Sequence, residues 1–289
     1  MMFKDEHGVL DGPLAAELAA EYGVNTAISR HDYIMNAIVW SAHGEVGLAY
    51  RHYIDGGRND ARQVKAAFDA CPPEVEDERP EVLDFAAGYG RVGRHFATVM
   101  PDADYTAMDI HVEAVRFNRE VLGLDSLVSY ADPERVGHER QFDHVFALSF
   151  FSHVRREHIL PWLNAMHRLV RPGGTVMFTA HGETSLKSSM KAMAMDDDGY
   201  GMAEHSEQHD LSTDIYVHAV TLKPFMERMI AGVPGLELVS HQPGVWWGEQ
   251  DMYVLRSTAE AEDTPLGHRL MVRARNRLGH VKRRLKGEV

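Results

Sequence analysis

The sequence predicts an α/β fold: a doubly wound, mostly parallel sheet of seven strands, an antiparallel strand at its C-terminal end, and a helical cap before it. Three observations carry this. Short apolar runs alternate with helical stretches from residue 80 onward. The first run closes on 88-GYGRVG-93, a glycine-rich turn. The last two runs lie too close together to hold a helical crossover, so they must pair antiparallel.

Residues 1–79 read as the cap. Apolar positions recur at spacings of three and four in 13-PLAAELAAEYG-23, 33-YIMNAIVWSAHG-44 and 62-RQVKAAFDAC-71. Gly23, Gly44 and the Gly56-Gly57 pair punctuate them. Cys71-Pro72-Pro73 and the acidic run to Pro80 form a linker.

The core spans 80–260. The run 81-EVLDFAA-87 predicts a buried parallel strand, followed by a helix over 91–100. Then come 104-DYTAMDI-110, a helix over 112–122 and a weak strand over 127–131. The strong strand 142-FDHVFALSF-150 precedes a helix over 158–169, and 170-VRPGGTVMFTA-180 turns into a fifth strand. Residues 182–213 have no clear period and read as a lid or substrate loop. A helix over 223–230 leads to the closing pair, 236-LELVSHQ-242 and 251-DMYVLRS-257, joined by 243-PGVWWGEQ-250.

Bulk properties narrow the function. The chain has 289 residues and a formal net charge of -13. From His268 to Val289 there are eight Lys/Arg and one Glu, so the remainder is strongly acidic. An acidic body argues against wrapping a nucleic-acid duplex, whose phosphates need basic partners. The tail 261–289 carries an apolar stripe of Leu270, Met271, Ala274, Leu278, Val281 and Leu285 among arginines. It has three readings: packing on the acidic body, docking to a partner, or transient contact with a membrane surface. No apolar run is long enough to span a bilayer, and no secretory leader is visible. Cys71 is the sole cysteine, which suits a reducing, cytoplasmic setting.

A glycine turn after a strand brings backbone N–H groups to a ligand, but a tight turn with no ligand has the same pattern. Three carboxylates bear on the choice. Asp109 ends the second strand, where it can accept both hydroxyls of a ribose or cap the next helix. Asp84 precedes the glycines, where it would repel a pyrophosphate and attract a cation. Asp132 follows the third strand, where it can meet an adenine amino group or form a turn with Pro133. A ligand with an adenosine, a positive end and no phosphate satisfies all three, and S-adenosylmethionine has that description.

Here the sequence resembles the class I S-adenosylmethionine-dependent methyltransferases, in the form found in small-molecule and sugar-modifying bacterial enzymes. The resemblance covers about 80–257 and rests on 83-LDFAAGYGR-91, 108-MDI-110, 131-AD-132, 145-VFALSFFSHV-154, 168-RLVRPGGTVMFT-179 and the closing strand pair. It implies that Asp84, Gly88 and Gly90 lie along the methionine part and that Asp109 holds the ribose. Ile110 would pack on the adenine and Asp132 would meet its amino group. Ser149 and Phe150 would sit under the sulfonium. In related enzymes the helical N-terminal segment folds over the pocket, which brings in Tyr53 and Arg58; their alternative role is packing within the cap. One departure stands out. The family has a glycine where this chain has Ala86, and alanine disfavours positive φ. The turn then keeps its shape without strain only if residue 86 is in an ordinary β or α conformation.

Methyl transfer to an oxygen or nitrogen of a small molecule, such as a sugar or glycan precursor, is the function expected. His153 is the first candidate base, since imidazole titrates near neutrality; its other role is packing on the next helix. His181 is the second, with Glu183 to orient it or bind substrate. His205 and His209 are four apart beside Asp210, but no third ligand is placed by spacing and no metal is expected. Trp246 and Trp247 wall a pocket or cover the sheet edge. The rival readings are an NAD-dependent oxidoreductase and a noncatalytic binding protein that kept the fold.

Overall fold

The computed structural model describes residues 3–4, 9–10, 12–74, 79–137, 140–204, 208 and 211–259. His205, His209, Asp210 and the tail 261–289 lie outside them. A short hairpin, β1 (Phe3–Lys4) with β2 (Val9–Leu10), precedes three helices, α1 (Pro13–Tyr22), α2 (Tyr33–Ser41) and α3 (Val46–Ala70). The core follows as β3 (Glu81–Phe85), α4 (Phe96–Val99), β4 (Asp104–Asp109), α5 (Val112–Glu120), β5 (Asp125–Val128), β6 (Phe142–Ala147), α6 (Arg156–Leu169) and β7 (Val170–His181). Then come α7 (Glu183–Lys187), β8 (Tyr200–Ala203), β9 (His218–Thr221), α8 (Lys223–Ala231), β10 (Leu236–Trp246) and β11 (Gln250–Ser257).

The main strands run in the order β10-β11-β7-β6-β3-β4-β5. β4 with β5 and β6 with β7 are parallel, while β11 is antiparallel to both β7 and β10. This is the doubly wound sheet with an antiparallel end that the sequence predicts. The chain divides into two compact units, within Met1–Ala67 plus Leu83–Ser129 and within Phe68–Val82 plus Tyr130–Val289.

In the first unit, α3 runs straight through Gly56-Gly57, where the sequence suggested a break. The reason is tertiary. A Cβ on Gly57 would collide with the backbone carbonyl oxygen of Arg91, so this helix can lie against the segment after the glycine turn only without side chains there. The approach is locked by charge: Arg91 pairs with the buried Asp60, and Arg94 donates to the carbonyl oxygens of Ala27 at 2.6 Å and Asn25 at 3.1 Å. The predicted helix over 91–100 is shorter, a 3₁₀ turn at Gly93–His95 leading into α4.

In the second unit, β7 is central. Its inner residues, from Gly173 through Ala180, are buried, and it pairs β6 on one side and β11 on the other. The segment 182–213 is not structureless. It contains α7 and β8, and β8 pairs β9, which meets β7 at His181. Arg156 at the start of α6 holds the bend before β8 by ion pairs to Asp196 and Asp198. Among the described residues, no helix is long and apolar enough to cross a membrane.

Gly57→Ala tests the close approach. Alanine normally gains about 1 kcal/mol over glycine inside a helix. Here overpacking, which costs about 1–3 kcal/mol, should reverse the sign and lower the urea midpoint. Gly47→Ala, near the start of the same helix with only an ordinary contact to Leu14, should not lower it.

Candidate functional site

The first unit holds a carboxylate-lined glycine turn. Asp109 is buried at the end of β4, and its Oδ2 accepts the Gly88 N–H at 2.7 Å. Its Oδ1 accepts the His111 backbone N–H at 2.8 Å and lies 3.0 Å from His111 Nδ1. The Ala87 N–H bonds the Met108 carbonyl at 3.0 Å. Two successive N–H groups of the turn are therefore tied to the end of one strand.

The glycines make room for the side chains that support this turn. A Cβ at Gly90 would strike Asn118 Oδ1, and Asn118 Nδ2 donates to the Gly88 carbonyl at 2.9 Å. A Cβ at Gly93 would strike the Tyr105 ring and hydroxyl, and that hydroxyl donates to Asp84 Oδ2 at 2.8 Å. The third glycine of the pattern thus serves the carboxylate nine residues before it. Sequence reasoning missed Tyr105 and Asn118, because nothing local relates them to the turn.

Asp84 is buried, 3% exposed. Burial pushes its carboxyl up to about 8; the Tyr105 hydrogen bond pulls it down, and the Asp109 charge pushes it up further. A carboxylate in this setting is an ill-matched anion until a cation joins it. The donor set therefore fits S-adenosylmethionine: Asp84 would meet its ammonium and Asp109 its ribose hydroxyls, beside the turn's backbone.

Ala86 does not have the ordinary backbone that an unstrained turn needs. Its φ is 61°, in the left-handed region, as are Gly88 at 55° and Gly90 at 68°. The turn keeps the glycine shape and accepts strain at the alanine, typically about 1–2 kcal/mol. Ile110, the next residue after Asp109, is half-buried. Tyr53 is fully buried, with its hydroxyl donating to Asp32 Oδ2 at 2.5 Å and the Arg94 guanidinium 5.3 Å from its ring centre. Arg58 lies over the Tyr22 ring at 4.8 Å.

The second unit gathers polar side chains at the ends of β6 and β7 and the start of β11. Ser149 is also left-handed, at φ 55°. Its N–H donates to Thr179 Oγ1 at 2.7 Å, Thr179 Oγ1 donates to Gln250 Oε1 at 2.8 Å, and Gln250 Nε2 donates to Ser149 Oγ at 3.0 Å. This closed triangle fixes a strained residue, as functional turns often need. Thr179 and Gln250 were not anticipated; they meet Ser149 only through strand pairing. Phe150 is half-buried, edge-on to Trp162 at 5.0 Å.

His153 is buried and tied to the segment before β9. Its Nδ1 lies 2.9 Å from the Val217 carbonyl oxygen, and its ring stacks on Tyr216 at 4.1 Å. His181 is half-buried at the end of β7, with Nδ1 2.7 Å from Ser185 Oγ. Glu183 pairs instead with Lys187 at 3.0 Å on the surface. Asp132 is exposed and accepts the Glu134 N–H at 3.0 Å, a turn-capping bond. Trp246 is buried, while Trp247 is exposed.

Residues 83–176 match the model of a family described as a methyltransferase domain. No curated protein matches the chain. Among solved structures, an S-adenosylmethionine-dependent methyltransferase from Clostridium acetobutylicum is similar at 14% identity, covering 69% of this chain and 91% of that one, with a TM-score of 0.49. The CcbJ methyltransferase from Streptomyces caelestis is similar at 17% identity, 69% and 90% coverage and a TM-score of 0.49. DesVI from Streptomyces venezuelae is similar at 14%, 77% and 96%, and 0.47. Overlap at that level decides nothing about chemistry.

Two outcomes follow. The raised carboxyl of Asp84 means the folded protein binds a proton there that the unfolded chain releases above about pH 4. Stability from this group is therefore present at low pH and lost as pH rises toward 8, and a cation that ionises Asp84 must expel the proton. Calorimetry at pH 7 in buffers of different ionisation enthalpy should show proton release when S-adenosylmethionine binds, and Asp84→Asn should remove that dependence. Ala86→Gly should raise the urea midpoint, because relief of about 1–2 kcal/mol of strain exceeds the unfolded-state penalty of about 0.4–1 kcal/mol.

Proposed function

We propose, for a chain whose residues 83–176 match a methyltransferase-domain family and whose core has the class I methyltransferase fold, that it is an S-adenosylmethionine-dependent methyltransferase acting on a small molecule. The observation that carries this reading is the pairing of Asp109 with the Gly88 N–H in one turn with a buried Asp84 supported by Tyr105. A dinucleotide would bring a pyrophosphate to a turn flanked by Asp84; a cationic amino acid end turns the same carboxylate into an attraction.

When bound, the cofactor supplies an activated methyl group on a sulfonium. The chain's own task is to hold it, aim an acceptor, exclude water and take a proton where the acceptor carries one. Asp84, Ala86, Gly88, Gly90, Asp109 and Ile110 of the first unit are assigned to the cofactor, while Tyr53, fully buried against Asp32, and Asp132, which caps a turn, take their alternative roles. His181 and His153 are assigned to the acceptor side. His181 is favoured as the base, since His153 is buried as an anchor for the segment at 216–218. An oxygen or nitrogen acceptor, such as a sugar or glycan precursor, fits this division.

The noncatalytic alternative draws on one feature, the strained Ala86. It expects weak cofactor binding that Ala86→Gly restores.

Calorimetry with the full chain tests the main reading. S-adenosylmethionine should bind and NAD should not. Asp109→Ala should weaken binding roughly tenfold to hundredfold, the worth of charge-assisted hydrogen bonds of about 1.5–3 kcal/mol. Binding of NAD alone would sink the proposal.

A further inference from the structure

Gly93 keeps an ordinary backbone, unlike Gly88 and Gly90, so its missing side chain answers a different need. A Cβ there would occupy the place of the Tyr105 hydroxyl and of two of its ring carbons. The Tyr105 ring lies against Phe96, with centroids 4.7 Å apart, which limits its freedom. Its hydroxyl donates to Asp84 Oδ2 at 2.8 Å. Gly93, Tyr105 and Asp84 are therefore one arrangement, all within the first unit.

A count of hydrogens gives the two carboxylate oxygens different duties. A phenol has one hydrogen to donate. Among the described residues, Asp84 is the acceptor that the Tyr105 hydroxyl meets. Burial and the Asp84 charge hold that phenol well above its ordinary range, so it keeps its hydrogen. A proton on Oδ2 would face the phenolic hydrogen, so a neutral Asp84 carries its proton on Oδ1. The same Oδ1 is the oxygen left to accept from an ammonium. Once protonated it presents a hydrogen instead of a lone pair. Proton and cation therefore compete for one atom.

The titratable groups acting on Asp84 both belong to β4. Burial pushes its carboxyl up to about 8, the Tyr105 bond opposes that rise, and the Asp109 charge adds to it. Asp109 is itself held by the backbone N–H groups of Gly88 and His111.

We propose that Tyr105 is a positioning residue that leaves Asp84 a single exchangeable oxygen, so that a proton gates loading of the cofactor's ammonium and the phenol sets the pH at which the gate opens. This rests on the methyl-transfer reading and concerns how that site is regulated. At lower pH the neutral carboxyl offers the ammonium a donor. At higher pH the carboxylate offers it an acceptor. Loading releases the carboxyl proton to solvent. Removing the phenol takes away a hydrogen bond to the charged form, which raises the carboxyl further and closes the gate at neutral pH. The cofactor's own amine titrates alike for every variant, so ratios between variants isolate the gate.

The test uses the full chain with ¹³C-labelled aspartate. The carboxyl carbon reports ionisation, with Asp84 assigned by its loss in Asp84→Asn. Without cofactor, the expected midpoint is about 8. Tyr105→Phe should move it up by about one to two pH units, the worth of a hydrogen bond to a charged group. In the unmodified chain labelled at tyrosine Cζ, the Tyr105 signal should titrate with the Asp84 midpoint, a readout that needs no variant. Calorimetry then reads the gate. At pH 7, Tyr105→Phe should bind S-adenosylmethionine about tenfold to hundredfold more weakly than the unmodified chain. That ratio should shrink as pH rises above about 8, where the unmodified carboxyl is already ionised. An unmoved midpoint in Tyr105→Phe, or a Tyr105 signal flat through the Asp84 transition, would overturn the proposal. So would a binding ratio constant with pH, which is what a merely structural tyrosine predicts. Failure of the unmodified chain to bind S-adenosylmethionine at any pH ends the methyl-transfer reading itself, whereas normal binding with an unmoved midpoint ends only the gate.

Discussion

The hydrogen bond from the Gly88 N–H to the Asp109 carboxylate governs the first unit. It ties a glycine turn to the end of β4, and the neighbouring bond from Ala87 to Met108 makes the tie two-pronged. Three residues of that turn, at 86, 88 and 90, are left-handed, a conformation that a free peptide would abandon. The surrounding contacts hold it. Asn118 grips the Gly88 carbonyl, and Arg94 donates to the carbonyl oxygens of Gly90 and Tyr89 on one side and of Asn25 and Ala27 on the other. Fixing the turn in this way positions backbone and carboxylates together before any ligand arrives, which reduces the ordering cost of binding.

Strain recurs at the second polar centre. Ser149 leaves β6 in a left-handed conformation and is held by Thr179 and Gln250. Close by in the chain's pairing scheme, His181 and Gln250 face one another across β7 and β11. The start of β11 thus contributes to both clusters: Gln250 braces Ser149, and Glu249 braces the histidine through Ser185. An antiparallel closing strand has consequences beyond the sheet edge, because it brings the residues of its turn back to the carboxyl ends of the parallel strands.

Much of the architecture was legible in the sequence because it depends on local pattern. Apolar runs of strand length, helical spacing between them and the short connection before 251-DMYVLRS-257 are enough to specify a doubly wound sheet with an antiparallel end. Other elements were not legible. Gly56-Gly57 looks like a helix break until the backbone of Arg91 is placed against it. β8 lacks a readable pattern because its stability comes from pairing with β9 and from Arg156 on the outside. The strand after α5 falls at Asp125–Val128, two to three residues earlier than its apolar content suggested, since its register is set by β4.

The site divides the same way. The sequence by itself determined the glycine turn and the acidic residues Asp84 and Asp109 that flank it, because strand–turn–helix patterns place such residues at predictable offsets. Only the tertiary structure decided what supports them. Tyr105 reaches Asp84 through the space left by Gly93, and Ser185 links His181 to the carbonyl of Glu249, which lies 64 residues beyond that serine. It also decided that Ala86 adopts the conformation of a glycine. Protonation, tautomer and strain depend on which groups are packed within hydrogen-bonding distance, and separation along the chain carries no record of that.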